Sequence, residues 1–345
     1  MARRLYLASL ALTPVVLVAR YVVHADGTVL FVLSALALVP LAYLIGEATE
    51  NVAEHTGSRM GGFLNASFGN APELIISLFA ISDALPAVVL GSITGSVVSC
   101  ALLVLGAAIA YGGGEGVDRR SLLLQVAVLG GAVALFLVPS IPRWAGGHSA
   151  HGLYLLTLPV ALVLLCVYLA TTVHNLRGPS APTGAGLPGE PWSLRAGLSA
   201  LVVATLATAA MSHVLVHSLE SFVDQLGLSQ FFVAAVIVAL VGNATEHGGA
   251  VVTARRGNSG LGSEIAVTSA TQVAVFVAPI VALLSGLAGK ELPLAFRPVE
   301  IATMGLAAVA VFLVIFDSRA RRWEGFALLG GYAACVVAYW VAGDG

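Results

Sequence analysis

Long apolar runs recur along the whole chain and are separated by short polar stretches. Eleven runs are long enough to cross a bilayer as helices, because a hydrocarbon core of about 30 Å needs roughly 20 apolar residues. They lie near residues 5–23, 28–48, 61–82, 85–110, 121–139, 152–174, 194–217, 230–253, 262–288, 298–316 and 324–342. The pattern predicts an all-α polytopic membrane protein with eleven transmembrane helices in a lipid bilayer.

One long polar gap divides the chain into halves that share a motif. The gap, Gly178 to Pro191, is predicted to be a flexible linker because its proline, glycine and small residues sustain neither a helix nor a core. GNAPELIIS begins at Gly69 in the third run, and GNATEHGGA begins at Gly242 in the eighth. The two strings are 173 residues apart, since 242 − 69 = 173.

The 16 basic residues are distributed unevenly between the two sides that eleven crossings define. Twelve fall on the side of the N-terminus and four on the other, and cytoplasmic loops carry the excess of Lys and Arg. This predicts a cytoplasmic N-terminus, a cytoplasmic linker and an outside C-terminus, and the short termini favour a prokaryotic cell (inner) membrane. The motif is then repeated in inverted orientation, as is typical of secondary transporters.

Composition excludes several classes of protein. Only 10% of the residues are charged and 58% are apolar, with a mean hydropathy of +0.96. A soluble protein has about 25% charged residues, so a soluble enzyme, a nucleic-acid-binding protein and a disordered scaffold are excluded. The three cysteines lie in apolar runs without disulfide or zinc-ligand spacing and are interpreted as small hydrophobic residues.

Two glutamates, Glu73 and Glu246, occupy equivalent motif positions deep in their apolar runs. A charged carboxylate at the bilayer centre costs about 2.5–3.5 kcal/mol on insertion scales, so such residues are usually functional. Asn70 and Asn243 precede them by three residues, which predicts that amide and carboxyl share one helical face. Burial and like charge favour protonated carboxyls, and a bound cation displaces those protons. Cation and proton therefore compete for one site, as an antiporter requires.

Three residues predict a break in the helix beside each glutamate: Gly69, Pro72 and Gly242. Glycine permits non-helical backbone, and Pro72 lacks an N–H and clashes with the carbonyl four residues back. Backbone carbonyls freed in this way can line a cavity inside the protein. Together with carboxyl and amide oxygens they form an all-oxygen set that suits Ca²⁺. The predicted cargo is therefore Ca²⁺ and protons, with no cofactor and no nucleic-acid partner.

Polar residues in neighbouring runs are further candidates for this cation and proton site. Ser99 lies in the fourth run with Ser92 and Ser96, and Ser269 and Gln272 lie three apart in the ninth. Hydroxyl groups in apolar helices often bond the backbone instead, so a structural role is the alternative for each serine. Gln272 is the costlier of these residues to bury.

Two pairs of titratable residues are candidates for a proton or ion path. Glu47 and Glu50 follow the second run and lie either on an access path or at a solvated helix end. His213 and His217 lie in the seventh run, where packed or hydrogen-bonded histidines are the alternative. Because histidine changes charge near neutral pH, a role in proton access or in pH response is the functional hypothesis.

Three long strings resemble the cation/proton exchanger (CAX) family of the calcium/cation antiporter superfamily. They are EATENVAEHTGSRMGGFLNASFGNAPELIIS from Glu47, GNATEHGGAVV from Gly242 and SATQVAVFVAP from Ser269. The resemblance implies Ca²⁺/H⁺ exchange, with Glu73 and Glu246 as the metal and proton ligands. It also implies that the asparagines of both motifs flank the site and that the ninth run faces it.

The same resemblance implies an arrangement of domains. An extra N-terminal helix (1–27) precedes two inverted five-helix repeats (28–177 and 194–345), which a cytoplasmic linker (178–193) joins. The chain departs from the family at three places. The linker, which often bears an acidic helix in the family, has Glu190 as its single acidic residue. The seventh run has histidines where acidic residues are expected, and Cys100 stands where the family commonly has an asparagine. The cysteine predicts the loss of one symmetric polar group.

Other functions remain as alternatives to Ca²⁺/H⁺ exchange. Exchange driven by Na⁺, or transport of Mn²⁺, uses the same oxygen ligands, and an inverted repeat with paired acids disfavours a channel. An intramembrane enzyme is the remote alternative, since the chain has no His-Glu-x-x-His or Gly-x-Ser-x-Gly sequence, and one histidine beside one glutamate is too few ligands for zinc. A homo-oligomer is compatible with the sequence.

Overall fold

The computed structural model describes residues 8–56, 68–112, 118–146, 149–177, 192–316 and 321–344. Within these ranges the chain is helical and contains no strand. In chain order the helices are α1 (Leu12–Val23), α2 (Gly27–Thr56), α3 (Ala71–Ser82), α4 (Pro86–Gly112), α5 (Arg119–Trp144), α6 (Ala150–Arg177), α7 (Leu194–Leu226), α8 (Gln230–Gly242), α9 (Ala244–Arg255), α10 (Ser259–Leu287), α11 (Pro298–Phe316) and α12 (Arg322–Ala342). The predicted linker, Gly178 to Pro191, lies outside the described residues.

Among the described helices, eight are long and apolar enough to cross a membrane individually. The pair α8 and α9 adds a ninth span if it is counted as one, and its two parts are bent by 60°. The helices α1 and α3 are apolar but shorter. The described helices therefore give eight or nine candidate spans, fewer than the eleven apolar runs predict. Parts of the first and third runs lie outside the described residues, and their described helices, α1 and α3, are too short to count.

Hydrogen bonds join helix ends in two layers of the molecule. In one layer, Lys290 donates to the carbonyl of Ser82, the Trp144 indole donates to the carbonyl of Phe296, and the Phe231 N–H donates to Asp344. In the other layer, the N–H of Trp192 donates to Asn51. The helix α4 is the most enclosed, since 94% of its most apolar window is buried against 22% for α12. It thus runs through the centre of the molecule.

The backbone repeats itself around the two motifs. The helices α3 and α9 each have 12 residues, and Asn70 and Asn243 precede them with φ of −95° and −96°. Ala84 and Gly257, which follow the two helices at equivalent positions, both have left-handed backbone. The next helices, α4 and α10, contain π-helical turns at Ser99–Val104 and Val273–Val277. Such π turns are rare and often lie at functional sites.

Close packing at the centre makes Gly95 sensitive to substitution. A Cβ atom at Gly95 of α4 would overlap the backbone of Ala235 in α8, whereas a Cβ at Gly130 of α5 meets nothing within 4 Å. We expect Gly95→Ala to lower the free energy of unfolding by about 1–3 kcal/mol, the usual cost of overpacking. The melting temperature of the detergent-solubilised protein measures this, with Gly130→Ala as the matched control. Equal melting of both variants would contradict the close contact between α4 and α8.

Candidate functional site

Glu73 and Glu246 lie in the first turns of the two short helices, α3 and α9. Glu73 is 6% exposed, and neither of its carboxyl oxygens has a hydrogen-bond partner among the described residues. Glu246 is half-buried, and its Oε2 is likewise buried without a described partner. The two carboxyls interact electrostatically. Buried polar groups in folded proteins normally have hydrogen-bond partners. Two buried carboxyls without described partners therefore indicate a ligand site.

The helix breaks bring the two motifs into contact. A Cβ atom added at Gly242, which ends α8, would lie 3.1 Å from Cγ and 3.5 Å from Oε1 of Glu73. The glycine of the second motif therefore packs directly on the glutamate of the first. Helix ends leave backbone carbonyls without intrahelical partners, so the break supplies oxygen acceptors beside the carboxyls. The first-turn position also favours a negative charge through the helix dipole.

The other predicted break lies at the start of α3. Gly69 and Asn70 form a turn, and Pro72 occupies the first helical turn. A proline is accommodated there because its missing N–H would have no intrahelical acceptor in any case. Pro72 thus lies in the first turn of α3, directly after the turn that separates this helix from helical Phe68.

The two asparagines connect the halves of the chain. Asn70 donates from Nδ2 to Oε1 of Gln272 at 3.1 Å, and Asn243 donates from Nδ2 to Oγ of Ser96 at 2.6 Å. Each bond therefore joins one motif to the π-turn helix of the opposite half. Both asparagines are buried and lie at the N-caps of α3 and α9, where their carbonyls accept the first helical hydrogen bonds, from Leu74 and His247.

A cluster of polar side chains surrounds Asn243. The Cys100 sulfur lies 3.4 Å from Oγ of Ser269, 3.5 Å from Nε2 of His247 and 3.6 Å from Oδ1 of Asn243. Ser99 Oγ lies 3.4 Å from the same imidazole nitrogen. The sequence predicts a small hydrophobic residue at Cys100, whereas the structure places its thiol among polar groups.

The sequence indicates Ser96 only as one of three serines in the fourth run, of which Ser99 is the selected candidate, and it does not select His247. Two signals in the sequence point to them. Ser96 stands 173 residues before Ser269, the offset of the motif repeat, and His247 directly follows Glu246.

Glu47 and Glu50 lie half-buried on α2, near the start of α9. The contact is made by the adjacent Gly46, where an added Cβ atom would lie 2.9 Å from Cγ2 of Thr245. Thr245 directly precedes Glu246 in the chain. The structure thus brings this stretch of α2 to the second motif.

The two predicted histidines lie at the opposite end of α3 from Glu73. His217 Nδ1 lies 2.8 Å from Oδ2 of Asp83, the residue that ends α3. The rings of His213 and His217 stack with centroids 4.4 Å apart, and Phe79 contacts His213 edge-on. The histidines therefore join α7 to the helix that carries Glu73 without reaching its carboxyl.

The donor set at the motifs consists mainly of oxygens. Among the described residues, no group of three or more His, Cys, Asp and Glu side chains is placed to hold a metal ion by itself. Two carboxyls supplemented by amide, hydroxyl and backbone carbonyl oxygens form the set that a hard divalent cation uses. The arrangement can therefore hold such a cation or, in its absence, protons on the carboxyls.

The bond between Asn243 and Ser96 is expected to stabilise the site. We expect Ser96→Ala to lower the free energy of unfolding by about 1–3 kcal/mol, because the buried amide loses an acceptor. The melting temperature in detergent measures the effect. The matched control is Ser92→Ala, since within the described part of the chain Ser92 donates to the carbonyl of Val89 in its own helix. A change no larger than that of the control would show that the bond contributes little.

Comparisons with known proteins identify the family of the chain. The family described as sodium/calcium exchanger protein matches residues 27–177 and 196–341. The chain is 32% identical to the Ca²⁺/H⁺ antiporter ChaA of Bacillus subtilis over 92% of this chain and 93% of that protein. It is also 32% identical to a Ca²⁺/H⁺ antiporter of Aphanothece halophytica, over 92% of this chain and 91% of the relative.

Solved structures share the fold. The structure of native YfkE superposes with a TM-score of 0.84 at 29% identity, covering 97% of this chain and 99% of that one. The H⁺/Ca²⁺ exchanger CAX superposes with a TM-score of 0.74 at 16% identity over 99% of this chain and 92% of that one, which supports the fold alone. The matched residues, the paired motifs and the helical architecture agree, and the chain belongs to the sodium/calcium exchanger protein family.

Proposed function

We propose that this membrane protein exchanges Ca²⁺ for H⁺ by alternating access at one site formed by Glu73 and Glu246. The observation that carries the proposal is the pair of buried carboxyls, which lack described partners where the two motifs meet. Such carboxyls are neutral when protonated and bind a divalent cation when deprotonated. Because one pair serves both ligands, cation and protons occupy the site in turn.

The surrounding residues have supporting roles in this proposal. Asn70, Asn243, Ser99, Ser269 and Gln272 supply further oxygens or orient the motifs, and several of them bond across the halves. A cross-half bond has to break or re-form when the site opens to the other side. The helix breaks allow that movement without unfolding a complete span.

The proposed layout is an N-terminal helix (1–27) followed by inverted five-helix repeats (28–177 and 194–345) around a cytoplasmic linker (178–193). Its support is the equal length and matching backbone of α3 and α9, together with the alternation of helix ends between two layers. The charge bias supports a cytoplasmic N-terminus and an outside C-terminus, and the bacterial relative supports a prokaryotic inner membrane.

Coupling to protons is favoured over coupling to Na⁺ because the relatives named above are Ca²⁺/H⁺ antiporters. Inside-out vesicles with an imposed pH gradient test the proposal. We expect Ca²⁺ uptake that requires the gradient and does not require Na⁺, and that is lost in Glu73→Gln and in Glu246→Gln. Loss follows because an amide neither binds Ca²⁺ as a carboxylate does nor releases a proton.

The matched control is Glu54→Gln, which alters an exposed carboxyl of α2 and is expected to leave uptake unchanged. Uptake that needs Na⁺ and ignores the proton gradient would refute the coupling. Activity in either motif variant would remove that glutamate from the mechanism.

The histidine pair is proposed to make exchange sensitive to pH. Nδ1 of His217 lies 2.8 Å from Oδ2 of Asp83, so this imidazole connects α7 to the end of α3. We expect His217→Gln to flatten the dependence of uptake on pH between about 5 and 8, the range in which histidine titrates. Uptake measured across that range checks this, with His24→Gln, at the exposed end of α1, as the control. An unchanged profile in the double variant His213→Gln/His217→Gln would exclude both histidines.

A further inference from the structure

The helices α11 and α12 leave a groove between them on the outer surface of the helical bundle. It has a volume of about 650 Å³ and is lined mostly by leucine and alanine residues, which lie between residues 303 and 314 of α11 and between 323 and 338 of α12. Leu306 and Leu313 in this lining are exposed. Along α11 the lining extends about 16 Å at 1.5 Å per residue. That length matches one leaflet, which is half of a hydrocarbon core of about 30 Å. The groove therefore has the polarity and the length of a site for an acyl chain.

One end of this groove is basic. Arg321 and Arg322 lie at the start of α12, and the Arg119 guanidinium of α5 lies 5.0 Å from the ring centroid of Phe316, the last residue of α11. All three arginines are exposed, and none of them forms an ion pair with a carboxylate in the part of the chain that the structure describes. Trp323 lines the groove at this end, and tryptophan is enriched where a membrane meets water. Three positive charges therefore lie at the level of the lipid headgroups.

Two acidic residues lie near the same end, and backbone groups engage both of them. The buried carboxyl of Glu324 accepts a hydrogen bond from the N–H of Arg321 at 2.6 Å, which caps α12. Asp118 accepts one from the N–H of Arg120 at 3.0 Å, which caps α5. Basic side chains therefore outnumber acidic ones among the described residues of this end, and the surface is complementary to an anion.

An anionic lipid matches both parts of this surface. Basic pockets between transmembrane helices bind the headgroups of such lipids, and the apolar groove continues from the arginines into the bilayer. A second copy of this chain matches it less well. Copies in one membrane share an orientation, so a symmetric contact through this face would bring the arginines of both copies together.

We propose that the groove between α11 and α12 binds an anionic phospholipid, represented by phosphatidylglycerol. One acyl chain lies in the groove, and the phosphate is bound by Arg119, Arg321 and Arg322. Leu102, which also lines the groove, belongs to the π turn of α4, so the bound chain packs against the central helix.

The headgroup contact is tested by native mass spectrometry of the purified full-length protein with phosphatidylglycerol or phosphatidylcholine of the same acyl chains. We expect phosphatidylglycerol to bind more tightly. An arginine near an anionic lipid contributes about 1 kcal/mol, so Arg321→Gln/Arg322→Gln should weaken this binding about 30-fold and Arg322→Gln alone about fivefold. The matched control is Arg255→Gln/Arg256→Gln, which removes the same charge at the end of α9 and should keep the original affinity.

The acyl-chain contact is tested by filling the groove while the arginines stay in place. Ala334 lines the groove, and Ala334→Trp should weaken phosphatidylglycerol binding at least about tenfold, the equivalent of roughly two buried CH₂ groups. The control is Ala333→Trp, which alters the neighbouring exposed residue of α12 outside the lining and should keep the original affinity.

Three results would overturn the proposal. The first is equal binding of the two lipids, or an equal loss in the two double arginine variants. The second is displacement of the lipid by inorganic phosphate, which would indicate a site for free anions. The third is a changed oligomeric mass in Ala334→Trp with unchanged lipid binding, which would assign the groove to a second copy of the chain. None of these measurements involves ion transport, so they are independent of the proposed exchange function.

Discussion

The central constraint on this protein is the burial of two carboxyl groups in an apolar helical bundle. A membrane interior strongly disfavours such groups, so the surrounding structure has to provide for them. It does so by interrupting helices. The helices α3 and α9 begin two residues before Glu73 and Glu246, and α8 ends against the carboxyl of Glu73. Helix ends supply a favourable dipole and unpaired carbonyls, which a continuous helix in the same place would lack.

The close packing of the central helices follows from this constraint. Because α4 is almost completely enclosed, its small residues allow neighbouring backbones to approach, as Gly95 does at α8. Close approach brings the serines of α4 to the second motif and the glutamine of α10 to the first. The bonds between asparagine and its partners therefore cross from one half of the chain to the other, and a movement of either half changes both.

Much of the architecture is readable from the sequence. Apolar runs identify the long helices, and the repeated glycine, asparagine and glutamate identify the two equivalent positions. Hydropathy does not identify the bend between α8 and α9, because their run is apolar throughout and the change of direction depends on the backbone of Asn243. Hydropathy also does not predict the π turns, because they do not change the spacing of apolar residues in a recognisable way. The helix at the third run is shorter in its described part than the run, because a turn at Gly69 and Asn70 precedes Pro72.

The sequence by itself determined the class of protein, the charge bias of the loops and the pair of motifs. It also determined Glu73 and Glu246 as candidate ligands for the cation and the proton. These properties depend on composition and spacing, which are local. Only the tertiary structure decided that Gly242 packs on Glu73, that Ser96 accepts a bond from Asn243, and that Cys100 and His247 lie side by side. Such contacts join residues more than a hundred positions apart, and their geometry depends on how the helices cross and not on the order of residues along any one of them.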